Sequence, residues 1–302
     1  MIINVITSIT AALIFSPLLI GIINKTKAVF SGRKGSPFFQ MYFDLFRLFS
    51  KDSVISSTTT LIFAVAPAVV FISTIAAAAL LPVLPGLERV SFTGDFILLF
   101  YLLGLARFFL IISALDTGSS FEGMGASREA FFSALAEPVA FISLLSVLRL
   151  SGTGSLSAAL CCGAEHNWVI TALVALPLFI VLLSENARIP FDDPNTHLEL
   201  TMIHEVMILD NSGPGLALLE YAASIKLWLF SLIIVKILFP FSASIFDGLF
   251  SVLMVFGLSV IIGIVESVMA RSTLLKIPQL LFSAGIIAFL GFFLSFSKVF
   301  VW

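Results

Sequence analysis

WVITALVALPLFIVLLSENARIPFDDPNTHLELTMIHEVMILDNSGPGLALLEYAASIKLWLFSLIIVKILF, residues 168–239, reads as an apolar run, a polar segment and a second apolar run. The runs at 168–186 and 216–239 are each long enough to cross a bilayer, which takes about 20 predominantly apolar residues. In and beside the polar segment stand seven of the 18 acidic residues: Glu185, Asp192, Asp193, Glu199, Glu205, Asp210 and Glu220. Two of the three histidines, His197 and His204, join them. Ionisable groups next to membrane-buried helices are costly unless protons, ions or a partner protein use them. Function is therefore sought in this segment.

Working outward, similar apolar runs place spans at 3–24, 60–82, 95–115, 130–150, 245–269 and 277–297, about eight in all. The expected fold is an all-α integral membrane protein, residues 1–302 forming a single polytopic membrane domain. Hydrophobic residues make up 59% of the chain and charged ones only 11%, where soluble domains carry about 25% charged. A β-barrel is excluded because the runs are continuous rather than alternating. The net charge of −2, without an aromatic-interleaved basic patch, excludes nucleic-acid binding. No basic residue precedes the first run, so it reads as a retained helix rather than a cleaved signal.

Lys and Arg positions set the orientation. Ten of the 16 fall in the odd-numbered loops, three in the even-numbered loops and the C-terminal end, and three (Arg107, Lys226 and Lys236) inside spans. Basic loops stay in the cytoplasm. Both termini are therefore expected outside, with loops 1, 3, 5 and 7 cytoplasmic. In loop 1, Gln40, Asp44, Arg47 and Lys51 form one polar stripe beside Phe39, Phe43 and Phe46. That pattern predicts an interfacial amphipathic helix, either a plain membrane anchor or the floor beneath a docked cytoplasmic partner.

Loop 5 predicts a short helix, starting with Asp193 as N-cap before Pro194 or with a capping box at Thr196 and Glu199, and reaching Leu209. On it His197, Thr201 and His204 share a face. Three readings stand: a metal site, a hydrated partner-facing surface, and a proton-handling network. The His spacing of seven departs from the four of the zinc motif. Glu137 sits inside an apolar run and before Pro138, where burial favours a relay role; a plain helix-end acid is the alternative. Glu185 and Arg188 stand three apart, a spacing that lets them pair on a helix. Asp116, Glu122, Arg128, Glu129, Glu220, Lys226 and Glu266 gather on the same side of the membrane. Cys161 and Cys162 are adjacent, and neither C-x-x-C nor a four-cysteine set occurs. No redox metal or other cofactor is expected in this chain.

Glu185, Arg188, Pro190, Phe191, Asp192, Glu199 and Leu200, followed by Glu220-Tyr221-Ala222, resemble the fifth cytoplasmic loop of the H-subunit (NuoH-like) family of complex I. Gly125, Ala126, Arg128 and Glu137 resemble that family's loop 3 signature, and Arg33, Gly35 and Gln40 its loop 1 signature. The likeness covers most of the chain. THLELTMIHEVMILDNSG, with its histidines, and MGASREA are similar in wording to the membrane subunits of group 4 nickel–iron hydrogenases, the formate hydrogenlyase subunit 4 and hydrogenase-4 component C type.

The resemblance implies a proton-coupling anchor with no catalytic activity of its own. Its implied partners are a cluster-bearing small subunit, a hydrogenase large subunit and antiporter-like membrane subunits, in a bacterial or archaeal cytoplasmic (inner) membrane. Iron–sulfur clusters and the nickel–iron centre would lie in those partners. The implied coupling residues are Glu137, Glu185, Arg188, Asp192, His197, Glu199, His204, Glu205, Glu220, Asp116, Glu122 and Arg128. Arg33, Gln40, Asp44 and Asp193 would serve docking. A quinone-site subunit of an NADH:quinone oxidoreductase is the first rival. A stand-alone proton or cation transporter is the second, disfavoured because no inverted repeat is visible.

Overall fold

In hydrocarbon every backbone N–H and C=O must be paired within its own segment, so a long apolar run becomes a helix. The computed structural model describes residues 2–83, 91–160, 168–192, 202–240 and 245–297. Eight of its helices are long and apolar enough to cross a membrane: α1 (Ile2–Phe30), α3 (Leu61–Leu80), α4 (Asp95–Asp116), α5 (Ser120–Ser151), α7 (Trp168–Glu185), α9 (Gly213–Leu238), α10 (Ile245–Val268) and α11 (Lys276–Ser297). Three shorter ones accompany them: α2 (Gln40–Phe49), α6 (Leu156–Ala159) and α8 (His204–Met207). The described residues contain no strand. Successive spans run in opposite senses, so α2, α8 and the odd-numbered loops share one face, here the loop face. Both chain ends share the other.

α9 is the hub. It packs against α1, α2, α3, α7 and α10, and its Ile225, Trp228 and Leu232 are fully buried. Phe15 of α1 stacks on Trp228 at 5.8 Å, and the Tyr221 hydroxyl donates to the Leu13 carbonyl at 2.7 Å. α3 pairs with α4, α11 lies on α5 and α7, and α10 lies on α1. The predicted amphipathic helix is present as α2: Phe43 and Phe46 are exposed, Leu45 is buried against the bundle, and Gln40 donates to Asp44 at 3.1 Å. The Tyr42 hydroxyl donates to the Ile14 carbonyl and ties α2 to α1.

Three boundaries differ from the sequence reading. α1 continues past residue 24 to Phe30, because Lys25 and Lys27 extend sideways, to the Lys34 carbonyl and to Glu266, and leave the backbone helical. α5 begins at Ser120 rather than near 130, and loop 3 shrinks to three residues, 117–119. At 32 residues α5 is about 48 Å long, well beyond the ~30 Å hydrocarbon thickness. Its acidic first turns do not end it because Glu122 and Glu129 find partners within the protein. Loop 5 forms only a four-residue helix at 204–207 in place of one reaching Leu209. The expected start of that helix, with Asp193, His197 and Glu199, lies outside the described residues.

Candidate functional site

α4 carries Arg107 three turns inside its loop-face end, on the side turned toward α5 and α7. Its guanidinium is the centre of an ion cluster. Nη1 donates to Glu137 of α5 and Nη2 to Glu185, the last residue of α7. Nε lies 3.7 Å from Glu129 of α5. Lys226 of α9 approaches Glu185 at 3.5 Å from the other side. The Glu185 side chain is 5% exposed, and that of Glu137 46%. Three carboxylates thus meet two cations, leaving one negative charge in excess when all are ionised.

A second network lies toward α10. Glu266 is reached by Lys27 of α1 at 2.8 Å and by Arg188 at 3.5 Å. The expected Glu185–Arg188 pair does not form. α7 stops at Glu185, and Ala187 turns the chain with φ +48, so Arg188 points away from the helix that Glu185 closes. Asp192 is 0% exposed. It accepts from the backbone N–H of Ile203 (2.8 Å) and His204 (3.3 Å) and from Arg271 Nη2 (2.7 Å). This acid fixes the start of α8 and pins it to the segment after α10.

α8 packs on α5 at Gly125, where an added Cβ would lie 2.9 Å from the Ile203 carbonyl oxygen and 3.1 Å from Met207. Only a residue without a Cβ lets α8 come this close. The contact sets His204 at the edge of a cleft of about 430 Å³, which is also lined by Val70, Leu103, Arg107, Glu129 and Lys226. Burial, with the Lys226 and Arg188 charges, pushes the His204 imidazole down to about 4. A pair of histidines titrating near neutrality is therefore corrected at His204, which stays neutral. Burial and the Asp192 charge raise the Glu205 carboxyl.

Two further cavities continue from the cleft. One, of about 310 Å³, touches Asp192, Ile203, Glu129 and Glu185. The other, of about 260 Å³, touches Arg107, Glu137, Glu185 and Phe230. Each space shares a charged residue with the next, giving a polar route from α8 to mid-span.

Of the residues singled out by sequence, Glu137, Glu185 and His204 meet here, and Asp192 adjoins them. Glu205 and Glu220 lie beside α2, with Asp44 and Arg47 within electrostatic reach of Glu220. Arg188 belongs to the Glu266 network. Glu122 accepts from the Asp210 N–H at 3.0 Å, and Arg128 donates to the Met202 carbonyl at 3.1 Å; both fasten loop 5 to α5. Asp116 stands apart, capping α3 through the N–H groups of Thr60 (2.7 Å) and Phe63 (3.3 Å). Arg33 is exposed on the loop face. The sequence reading missed the roles of Arg107, Glu129 and Lys226. The available signal was a lone Arg in the middle of FILLFYLLGLARFFLIISAL.

The helices and this cluster define a multi-pass membrane protein with an ion network entering from one face. The chain belongs to the NADH dehydrogenase family, whose profile matches residues 3–296. It is 31% identical to hydrogenase-4 component C of Escherichia coli over 94% of this chain and 90% of that protein. It is 29% identical to formate hydrogenlyase subunit 4 of the same organism, over 92% and 93%. The H-subunit of the NADH-quinone oxidoreductase of Rickettsia canadensis matches at 27% over 59% of this chain and 54% of that protein. Among solved structures, a chain of the membrane-bound sulfane sulfur reductase, an archaeal respiratory membrane complex, superposes with a TM-score of 0.84 at 21% identity, covering 97% of this chain and 99% of that one. At that identity the likeness concerns the fold.

Proposed function

We propose that this chain is the membrane-anchoring, proton-coupling subunit of a hydrogen-evolving, energy-converting complex of the formate hydrogenlyase type. The loop face, with α2 and Arg33, Gln40 and Asp44, receives a cytoplasmic arm whose subunits hold the iron–sulfur clusters and the nickel–iron centre. Antiporter-like subunits join within the membrane. Basic loops put the loop face in the cytoplasm and both termini outside.

The observation that carries this reading is the row of cavities linking Asp192 and His204 to Arg107, Glu185 and Glu137. A polar cavity of this size holds water, and water between ionisable side chains conducts protons. The excess carboxylate gives a proton a place to bind. A change of charge in the arm acts on these groups through a low dielectric, where Coulomb energies are several-fold larger than in water. Proton uptake at one carboxylate restores balance with Arg107 and Lys226. Glu137, half exposed and furthest along the route, is the exit toward the membrane subunits.

The test is Glu137→Gln in the assembled complex in vesicles. Hydrogen output with assembly intact, and loss of the acid-side pH change, is the expected result. Unchanged pumping rules out Glu137 as a relay. A quinone-reducing role is the second reading, favoured by the apolar upper wall of the 430 Å³ cleft. Inhibitor-sensitive reduction of a short-chain quinone by the purified complex would establish it.

A further inference from the structure

We propose that a cavity at the start of α9, separate from the ion network, binds the headgroup of a zwitterionic phospholipid, with its phosphodiester on Asn211 and the first turn of α9. The cavity encloses about 600 Å³ between residues 53–55, the first turns of α3 and the start of α9. It shares no lining residue with the three spaces around Arg107.

Two independent features supply hydrogen-bond donors there. Asn211 lines the cavity and is 6% exposed, yet its Nδ2 has no hydrogen-bond partner. A buried amide left this way is costly, and an acceptor arriving in the cavity removes the cost. The second feature is the N-terminus of α9, a helix of 26 residues with no side-chain cap. The natural capping residue, Ser212, is engaged elsewhere: its Oγ accepts from the Val54 N–H at 2.8 Å and donates to the Val54 carbonyl at 3.0 Å. The first-turn N–H groups of Gly215 and Leu216 therefore keep their capacity for an acceptor, and the helix dipole favours a negative one.

The rest of the cavity selects the remainder of the ligand. Phe63, Ala64, Pro67, Ala68 and Leu218 form apolar walls, on spans α3 and α9, at the depth where lipid headgroup meets acyl chain. Exposed Val54, Ile55 and Leu61 continue this apolar surface outward. The framing segments carry Lys51, Asp52, Asp116 and Asp210, a net negative set. Such a field opposes a free anion and rewards an ammonium beside the phosphate. An ethanolamine phospholipid has that pairing, and a glycerol phospholipid lacks it.

The test titrates the full chain in detergent with dihexanoyl phosphatidylethanolamine, dihexanoyl phosphatidylglycerol, glycerophosphoethanolamine and inorganic phosphate, followed by calorimetry. Saturable binding of the ethanolamine lipid is expected, about tenfold tighter than the glycerol lipid, with no measurable binding of the two chainless probes. Asn211→Leu removes the donor and should weaken the ethanolamine lipid about tenfold. Ala64→Trp fills the cavity from an exposed position, leaves Asn211 in place, and should weaken it likewise, so the test survives a poorly folding Asn211 variant. Binding unaltered by Ala64→Trp overturns the site. Inorganic phosphate competing at comparable affinity overturns the lipid and assigns a soluble anion. Tighter binding of the glycerol lipid overturns the charge selection.

Discussion

Replacing Arg107 by Gln removes the cation on which three carboxylates converge. The loss is unequal. Glu137 is half exposed, and water can resolvate it, so its pair contributes at most about 1 kcal/mol. Glu185 and Glu129 have side chains only 5% and 11% exposed. Removing one partner of a buried pair destabilises by about 3–5 kcal/mol, mostly as the penalty of the stranded charge. Lys226 remains 3.5 Å from Glu185 and holds the expected loss near the lower end, about 3 kcal/mol. At about 2–4 °C per kcal/mol, the scale of large soluble domains, the midpoint falls by roughly 6–12 °C. Tryptophan fluorescence during heating in lipid nanodiscs reads this, with buried Trp228 as reporter. The double variant Arg107→Gln with Glu185→Gln discriminates the cause. If a stranded carboxylate carries the loss, neutralising it restores about 1–2 kcal/mol, a coupling typical of groups in contact. A single variant that melts with the wild type, or a double variant that loses more than the single, refutes the reasoning.

Three more outcomes are expected. His204 is neutral in the folded protein down to about pH 4, whereas the unfolded chain takes up its proton near pH 6.5. Stability at this residue is therefore lost as pH falls from about 6.5 toward 4. His204→Gln should flatten that acid sensitivity in melting curves and leave the activity profile from pH 6 to 8 unmoved; a shifted profile would show the imidazole titrating there. Asp192→Asn weakens charge-assisted bonds to Ile203, His204 and Arg271, each worth about 1.5–3 kcal/mol, and hydrogen exchange at the Ile203 and His204 amides should quicken at least about tenfold. Gly125→Ala drives a Cβ to 2.9 Å from the Ile203 carbonyl and should cost about 1–3 kcal/mol, read as a lower melting midpoint; an unchanged midpoint would mean that α8 gives way freely.

The spans were legible because a 20-residue apolar run leaves the backbone one solution. Their ends were not, wherever a polar side chain is satisfied by the bundle instead of by water. Lys27 finds Glu266, Glu122 finds the Asp210 N–H, and the helices continue through them. Local spacing also misled at Glu185 and Arg188, since a three-residue separation pairs side chains only while the helix lasts, and α7 ends between them. The partners of Arg107 stand 30 and 78 residues away along the chain, a distance no periodicity encodes.

The acids that make loop 5 conspicuous separate by burial into different tasks. Asp192 faces inward and fixes α8, so a soluble partner cannot reach its carboxylate directly. Glu205 and Glu220 lie toward α2, where a docked arm would come near them. Glu185 alone belongs to the Arg107 cluster. The polar segment is thus the approach to a site whose centre lies in spans that look uniformly apolar. The mark of that centre is a single Arg within an apolar run, surrounded by more carboxylates than cations. A structural ion pair needs only balance. An unbalanced cluster needs a proton, and the cavities beside it open toward the face from which one would arrive.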